Sequence, residues 1–157
     1  MAAHAKFEPF NVNARIKISA LWASMLFVFV YVDLFSLYRR DVRADLEVGK
    51  ISGFTINHAF LLATTVYVVI PSLMVFVALI LRPRANRIAN IALGIVYALT
   101  IIAGAIGEWS YYILGGAIEV ALIAAIVYYA WTWPKEGRPA STTAREATAP
   151  GTQPTVS

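Results

Sequence analysis

The sequence contains no cysteine. That removes disulfides, thiolate metal sites and cysteine nucleophiles together. Charge is scarce as well: Asp, Glu, Lys and Arg make up 14% of the 157 residues, against about 25% in soluble chains. There are two histidines, His4 and His58. His4 lies in the polar N-terminal segment, so bis-histidine haem ligation by one chain is not expected. No HExxH, GxSxG, Walker loop or cysteine pair occurs. A histidine with carboxylates is a metal donor set in type, but the spacing specifies no metal. The reading leans away from an enzyme, since an activity on lipid or quinone would have no motif behind it, and no cofactor is expected.

Apolar surface is what the chain has in excess. Hydrophobic residues make up 59%, against roughly 45–50% in soluble domains. A soluble chain of this length cannot hide that much, so the expected solvent is lipid. A bilayer core of about 30 Å needs roughly 20 apolar residues in a helix. Four runs qualify, at 18–38, 59–81, 88–107 and 113–133. They are continuous rather than alternating, which argues against strands. The links are a charged stretch (RRDVRADLEVGKISGFTIN), a basic turn (RPRANR) and a short EWSYY turn. Short second and third links force neighbouring helices antiparallel. The expected fold is all-α: a four-helix transmembrane bundle, up-down-up-down, with residues 41–51 as a short surface helix. Arg15 and Lys17 before the first run imitate a signal peptide. The run is nevertheless too long for an h-region, holds Asp33, and is followed by SLYRRD rather than a small-residue cleavage site.

Basic residues set the expected threading. The N-terminal segment, the second link and the tail carry nine: Lys6, Arg15, Lys17, Arg82, Arg84, Arg87, Lys135, Arg138 and Arg145. The other side carries four, Arg39, Arg40, Arg43 and Lys50, two of them directly beside a helix end. The positive-inside rule then places residues 1–17 and 134–157 in the cytoplasm of a cell whose plasma membrane holds residues 18–133. The tail from residue 134 is rich in Pro, Ala, Thr and Ser and has no aromatic residue, so it is expected to be disordered. The lipid bilayer is the expected partner, a homo-oligomer is left open, and the net charge of +4 needs no nucleic acid to explain it.

A charged acid at the centre of a membrane helix costs about 2.5–3.5 kcal/mol on insertion scales, so each one asks for a partner or a purpose. Asp33 lies about 7 Å inside the end of the first run, and Glu119 about 9 Å inside the start of the fourth. His58 and Glu108 sit at the same side, at the ends of the second and third runs. Helical spacing puts Asp33 in line with Trp22, Leu26, Phe29 and Ser36, and His58 with Leu62, Thr65, Val69 and Ser72. It puts Glu108 with Asn90, Gly94, Tyr97, Ile101 and Gly104, and Glu119 with Tyr112, Gly115 and Ile123. If the four stripes face inward they form one polar cluster. Asp33, Glu119, His58 and Glu108 are therefore the candidate binding residues for a proton, a cation or a small polar molecule. Two plainer readings stand beside this one. His58, Glu108 and Asp33 are near enough to helix ends to reach headgroups, and Glu119 serves equally as a protonated hydrogen-bonding link between helices. Pro71 frees the carbonyl of Tyr67 and is a candidate hinge or a packing kink. Ala117, Ala121 and Ala125 form a small-residue ridge away from Glu119, suited to helix–helix association. It supports the alternative function, a structural or accessory subunit.

Taken in order, KISALW, DLFSLY, IPSLM, NRIANIALGIVY and YYILGGAIEVAL…YYAWTWP resemble a bacterial family of small four-span membrane proteins, classed as a domain of unknown function. The resemblance runs from about Lys17 to Pro134. It includes Asp33, Pro71, Asn86, Arg87, Asn90 and Glu119. It implies four spans and no particular activity.

Overall fold

The computed structural model describes residues 12–133. Five helices and one small hairpin follow in order: α1 (Ala14–Ser36), α2 (Arg40–Glu47), β1 (Lys50–Ile51), β2 (Phe54–Thr55), α3 (His58–Ile80), α4 (Pro83–Gly104) and α5 (Ser110–Trp131). Four of the helices are 22 or 23 residues long and apolar enough to cross a bilayer. At 1.5 Å per residue each is about 33–35 Å long, matching the hydrocarbon core. The expected all-α, four-helix bundle is the architecture found. The N-terminal segment before residue 12 and the tail from residue 134, expected to be disordered, lie outside the described residues.

Local chemistry sets the helix starts. Asn13 Oδ1 accepts the Arg15 amide at 3.0 Å, and Asn57 Oδ1 accepts that of Phe60 at 2.9 Å, so both α1 and α3 begin on asparagine caps. α4 begins on Pro83 rather than near Ile88, where the apolar run starts. Proline is suited to the first helical turn, whose amide has no helical partner to lose. Residues 83–87, expected as turn, are therefore helix, and Asn86 lies inside α4. The link between α3 and α4 shrinks to Leu81 and Arg82.

The first link holds a feature that continuous apolar runs did not announce. β1 and β2 pair antiparallel, Lys50 with Thr55 and Ile51 with Phe54. Ser52 and Gly53 between them have φ of +47° and +82°. Two successive left-handed residues match the twist of a tight hairpin, and glycine adopts that region without strain. The short helix expected over 41–51 is α2, which stops at Glu47.

The helices run up-down-up-down. α1 packs on both α3 and α5, α5 packs on α4, and α3 meets α4 at few places. The first and last helix ends are therefore together. Arg15 lies over the Trp133 ring at 5.7 Å and Lys17 over Tyr129 at 5.1 Å. Arg87 lies over Trp131 at 4.9 Å, so the aromatic belt at this end is interleaved with cations. The core is concentrated in this half, which we call the termini half: Ile18, Trp22, Met25, Ala78, Ile123, Ile126 and Ala130 are buried there. Fully buried Asn86 and Asn90 are satisfied across it. Trp22 Nε1 donates to Asn90 Oδ1 at 2.7 Å, Asn90 Nδ2 donates to Asn86 Oδ1 at 2.5 Å, and Asn86 Nδ2 donates to the Ala78 carbonyl at 2.6 Å. Ser19 Oγ adds a 2.6 Å bond to the Val75 carbonyl.

One face assignment is corrected. The stripe His58, Leu62, Thr65, Val69, Ser72 does not face the bundle; all five are exposed. α3 buries Pro71, Met74 and Ala78 instead, with Tyr67 half-buried. The hydroxyls explain the difference. Thr65 Oγ1 donates to the Leu61 carbonyl at 2.8 Å and Ser72 Oγ to the Val68 carbonyl at 2.8 Å. A hydroxyl bonded to its own helix needs no partner across the bundle and can face lipid.

Candidate functional site

The half that carries the hairpin, here the hairpin half, is built differently. α5 places two glycines side by side. A methyl on Gly115 would run into Val32 Cγ2 on α1, and one on Gly116 would stand 3.3 Å from Ile101 Cγ2 on α4. The pair lets α5 approach two helices at once. Glu119 follows four residues after the first glycine and three after the second, so its side chain projects between the directions of α1 and α4. That direction is the bundle interior, and Glu119 is 3% exposed.

The space it enters is a cavity of about 370 Å³. α1 supplies Phe29 and Asp33, α5 supplies Tyr112 and Glu119, and α3 supplies Phe60 and Tyr67. Thr100 and Gly104 of α4 lie opposite, and Ser52 and Phe54 of the hairpin form the outer wall. α3 and α4 make few contacts with each other, and hairpin residues complete the cavity wall. Asp33 is exposed, whereas Glu119 is buried. Among the described residues every fully buried side-chain nitrogen or oxygen has a hydrogen-bond partner. Among the same residues neither the Asp33 nor the Glu119 carboxyl enters a hydrogen bond or an ion pair; both border the cavity. No Lys, Arg or His is among the lining residues.

Two residues of the cavity wall, Tyr67 and Thr100, belong to a tyrosine latch. Pro71 has no amide hydrogen for the Tyr67 carbonyl four residues earlier. The Tyr97 hydroxyl donates to that carbonyl at 2.5 Å, and the Tyr67 hydroxyl bonds Thr100 Oγ1 at 2.7 Å. The two rings lie 4.7 Å apart. The proline thus creates an acceptor through which α4 holds α3, at one of the few places where those helices meet.

The other two candidate acids and bases go elsewhere. His58 opens α3 on its exposed side and does not line the cavity. Glu108 is paired with Arg39, which also binds Asp41 through Nη2 at 2.5 Å and lies over Trp109 at 4.7 Å. Arg39 holds the Asp41 carboxyl below the usual carboxylate range by donating to it. Nearby, the Ser36 and Tyr111 hydroxyls bond at 2.8 Å. These contacts tie the end of α1 to the α4–α5 turn. A groove of about 840 Å³ beside them is lined by Phe35, Tyr38, Trp109 and Tyr111 around Arg39. Arg40 and Asp41 also line the groove, and the Arg39 charge is partnered by Asp41 and Glu108.

Of the four expected binding residues, Asp33 and Glu119 line the same cavity. The structure leaves His58 and Glu108 at the helix ends. Sequence reasoning missed Ser52 and Phe54, although Ser-Gly between KI and FT is a hairpin signal. It also missed the Asn86–Asn90 pair, spaced i, i+4 on one helix face.

Four membrane-length helices around a partly polar cavity define a small multi-pass membrane protein. The model of a family of unknown function, DUF6326, matches residues 6–140, and the chain belongs to that family. No curated protein and no solved structure matches the chain.

Proposed function

We propose that the chain sits in the inner (plasma) membrane with both termini in the cytoplasm, and that its cavity binds a small cation or polar molecule in the outer half of the bilayer. The excess of basic residues at the termini side supports the threading. The binding reading rests on Glu119. Its side chain lies among the helices, and its carboxyl borders the cavity with no protein partner, so a ligand there would supply the contacts that a membrane-embedded carboxyl otherwise lacks. A second carboxyl, Asp33, borders the same space, and the volume falls within the roughly 300–1,000 Å³ of small-molecule sites.

Thermal unfolding of the purified full chain in lipid nanodiscs, against a panel of monovalent cations and small polar solutes, tests this reading. At least one solute should raise Tm, since a ligand of the folded state at 100 times its Kd adds about 2.7 kcal/mol. Glu119→Gln and Asp33→Asn should remove the rise while keeping the ligand-free Tm within a few degrees. A rise of the same size in both variants would defeat the proposal.

A second reading, an accessory subunit acting through helix association, is favoured by one observation: Ala117 and Ala121 are exposed on α5. Under that reading Ala121→Leu abolishes an assembly captured by crosslinking in membranes, and the carboxylate-to-amide changes are tolerated.

A further inference from the structure

The binding reading leaves the chemical class of the ligand open. We propose that the cavity receives a small organic cation, an alkyl- or quaternary-ammonium group, held between the Glu119 and Asp33 carboxyls and the surrounding aromatic rings; this inference rests on the cavity being a binding site.

Sign, size and surface each narrow the class. Two carboxyl side chains stand on the wall and no basic residue lines it, so the unmatched charge favours a cation. The Glu119 carboxyl, on an otherwise buried side chain, borders the cavity without a protein partner and is the group such a cation would satisfy. A volume of about 370 Å³ is far more than a bare metal ion occupies. Among the described residues no three Asp, Glu or His side chains gather as a metal cage requires. The proton alone needs no cavity at all.

The surface supplies the rest. Phe29, Phe54, Phe60, Tyr67 and Tyr112 face the space from α1, the hairpin, α3 and α5. Phe29 and Tyr67 lie 6.2 Å apart, and Phe54 stacks with Phe60 at 6.1 Å. Ring faces attract cations whose hydration is weak, and cages of aromatic rings are a recurring way of holding alkylated ammonium. A strongly hydrated inorganic ion would lose its water shell against these rings and gain two carboxyls in return. An alkylammonium has less hydration to lose and buries its carbon atoms against the rings. The hairpin contributes Phe54 and Ser52 to the wall of the cavity.

Choline and tetramethylammonium serve as probes, with sodium and 3,3-dimethylbutan-1-ol, the neutral carbon isostere of choline, as comparators at constant ionic strength. The readout is Tm of the full chain in nanodiscs as a function of probe concentration. The two ammonium compounds should raise Tm in a saturable way, and the isostere and sodium should not. Glu119→Gln should abolish the rise. Phe60→Leu should weaken the apparent affinity about tenfold, and Phe60→Trp should preserve it. A saturable, Glu119-dependent rise with sodium or the alcohol, and none with the ammonium compounds, overturns the ligand class and leaves the cavity reading standing. If no probe gives a Glu119-dependent rise, the ligand class is overturned; the cavity reading falls with it only when the thiol of a Glu119→Cys variant is also closed to water-soluble thiol reagents.

Discussion

Asn90 takes the indole hydrogen of Trp22 and gives its own amide to Asn86, which in turn donates to α3, so a chain of two amides couples three helices. Interhelical hydrogen bonds in membranes average about 0.6 kcal/mol, but removing one member here strands buried groups on either side. Asn90→Leu should destabilise the protein by about 1–2 kcal/mol in reversible detergent unfolding. At the other end of the bundle, Arg39 lowers the Asp41 carboxyl below its ordinary value of about 3.9 by hydrogen bonding to it. Because the folded value lies below the unfolded one, the contribution of the contact is complete above the ordinary value and is lost as pH falls through the folded one. Titration of the Asp41 carboxyl by NMR should give a midpoint below 3.9, and Arg39→Gln should return it to about that value.

Between elements, contact distance is set by residues that have little or no side chain. Gly115 seats α5 against Val32, and Gly94 seats α4 where an added methyl would lie 2.8 Å from Val127 Cγ2. Valine is stiff at χ1 and cannot swing aside, so overpacking is felt in the backbone. Gly115→Ala should cost about 1–3 kcal/mol and Gly116→Ala less, whereas Gly104→Ala, with nothing within 4 Å, should leave stability within about 0.5 kcal/mol. The latch between α3 and α4 is tested by a double-mutant cycle. Tyr97→Phe should destabilise by about 1 kcal/mol in the parent chain. In the Pro71→Ala background the new amide can satisfy the Tyr67 carbonyl, so the same change should cost measurably less. Equal costs in both backgrounds would remove the latch.

At the scale of the whole molecule, the bundle and half of the site were readable in advance. Apolar run length is a direct consequence of bilayer thickness, so the four long helices follow from composition alone. The face of α4 was legible too, because Asn90, Gly94, Tyr97 and Ile101 are large, small and polar residues at one helical spacing, and all are buried. α3 was misread for a physical reason: its hydroxyls bond their own backbone, and a polar residue at helical spacing then carries no information about which side faces the bundle. Glu119 was legible because nothing in its own helix satisfies it. The hairpin wall was hidden inside a charged link, where a local turn signal outweighed the absence of any long alternating run.

Glu119 and the hairpin residues Ser52 and Phe54 line one cavity, so water on the hairpin side of the membrane should reach position 119. The chain has no cysteine, so Glu119→Cys introduces a single thiol. Sealed vesicles of both orientations can be treated with a membrane-impermeant methanethiosulfonate reagent and the labelling rate followed by mass spectrometry. The thiol should react from the hairpin side, and Asp33→Trp in the same chain should slow that reaction at least tenfold by filling the mouth. Labelling only from the termini side, or at a rate unchanged by Asp33→Trp, would contradict the account.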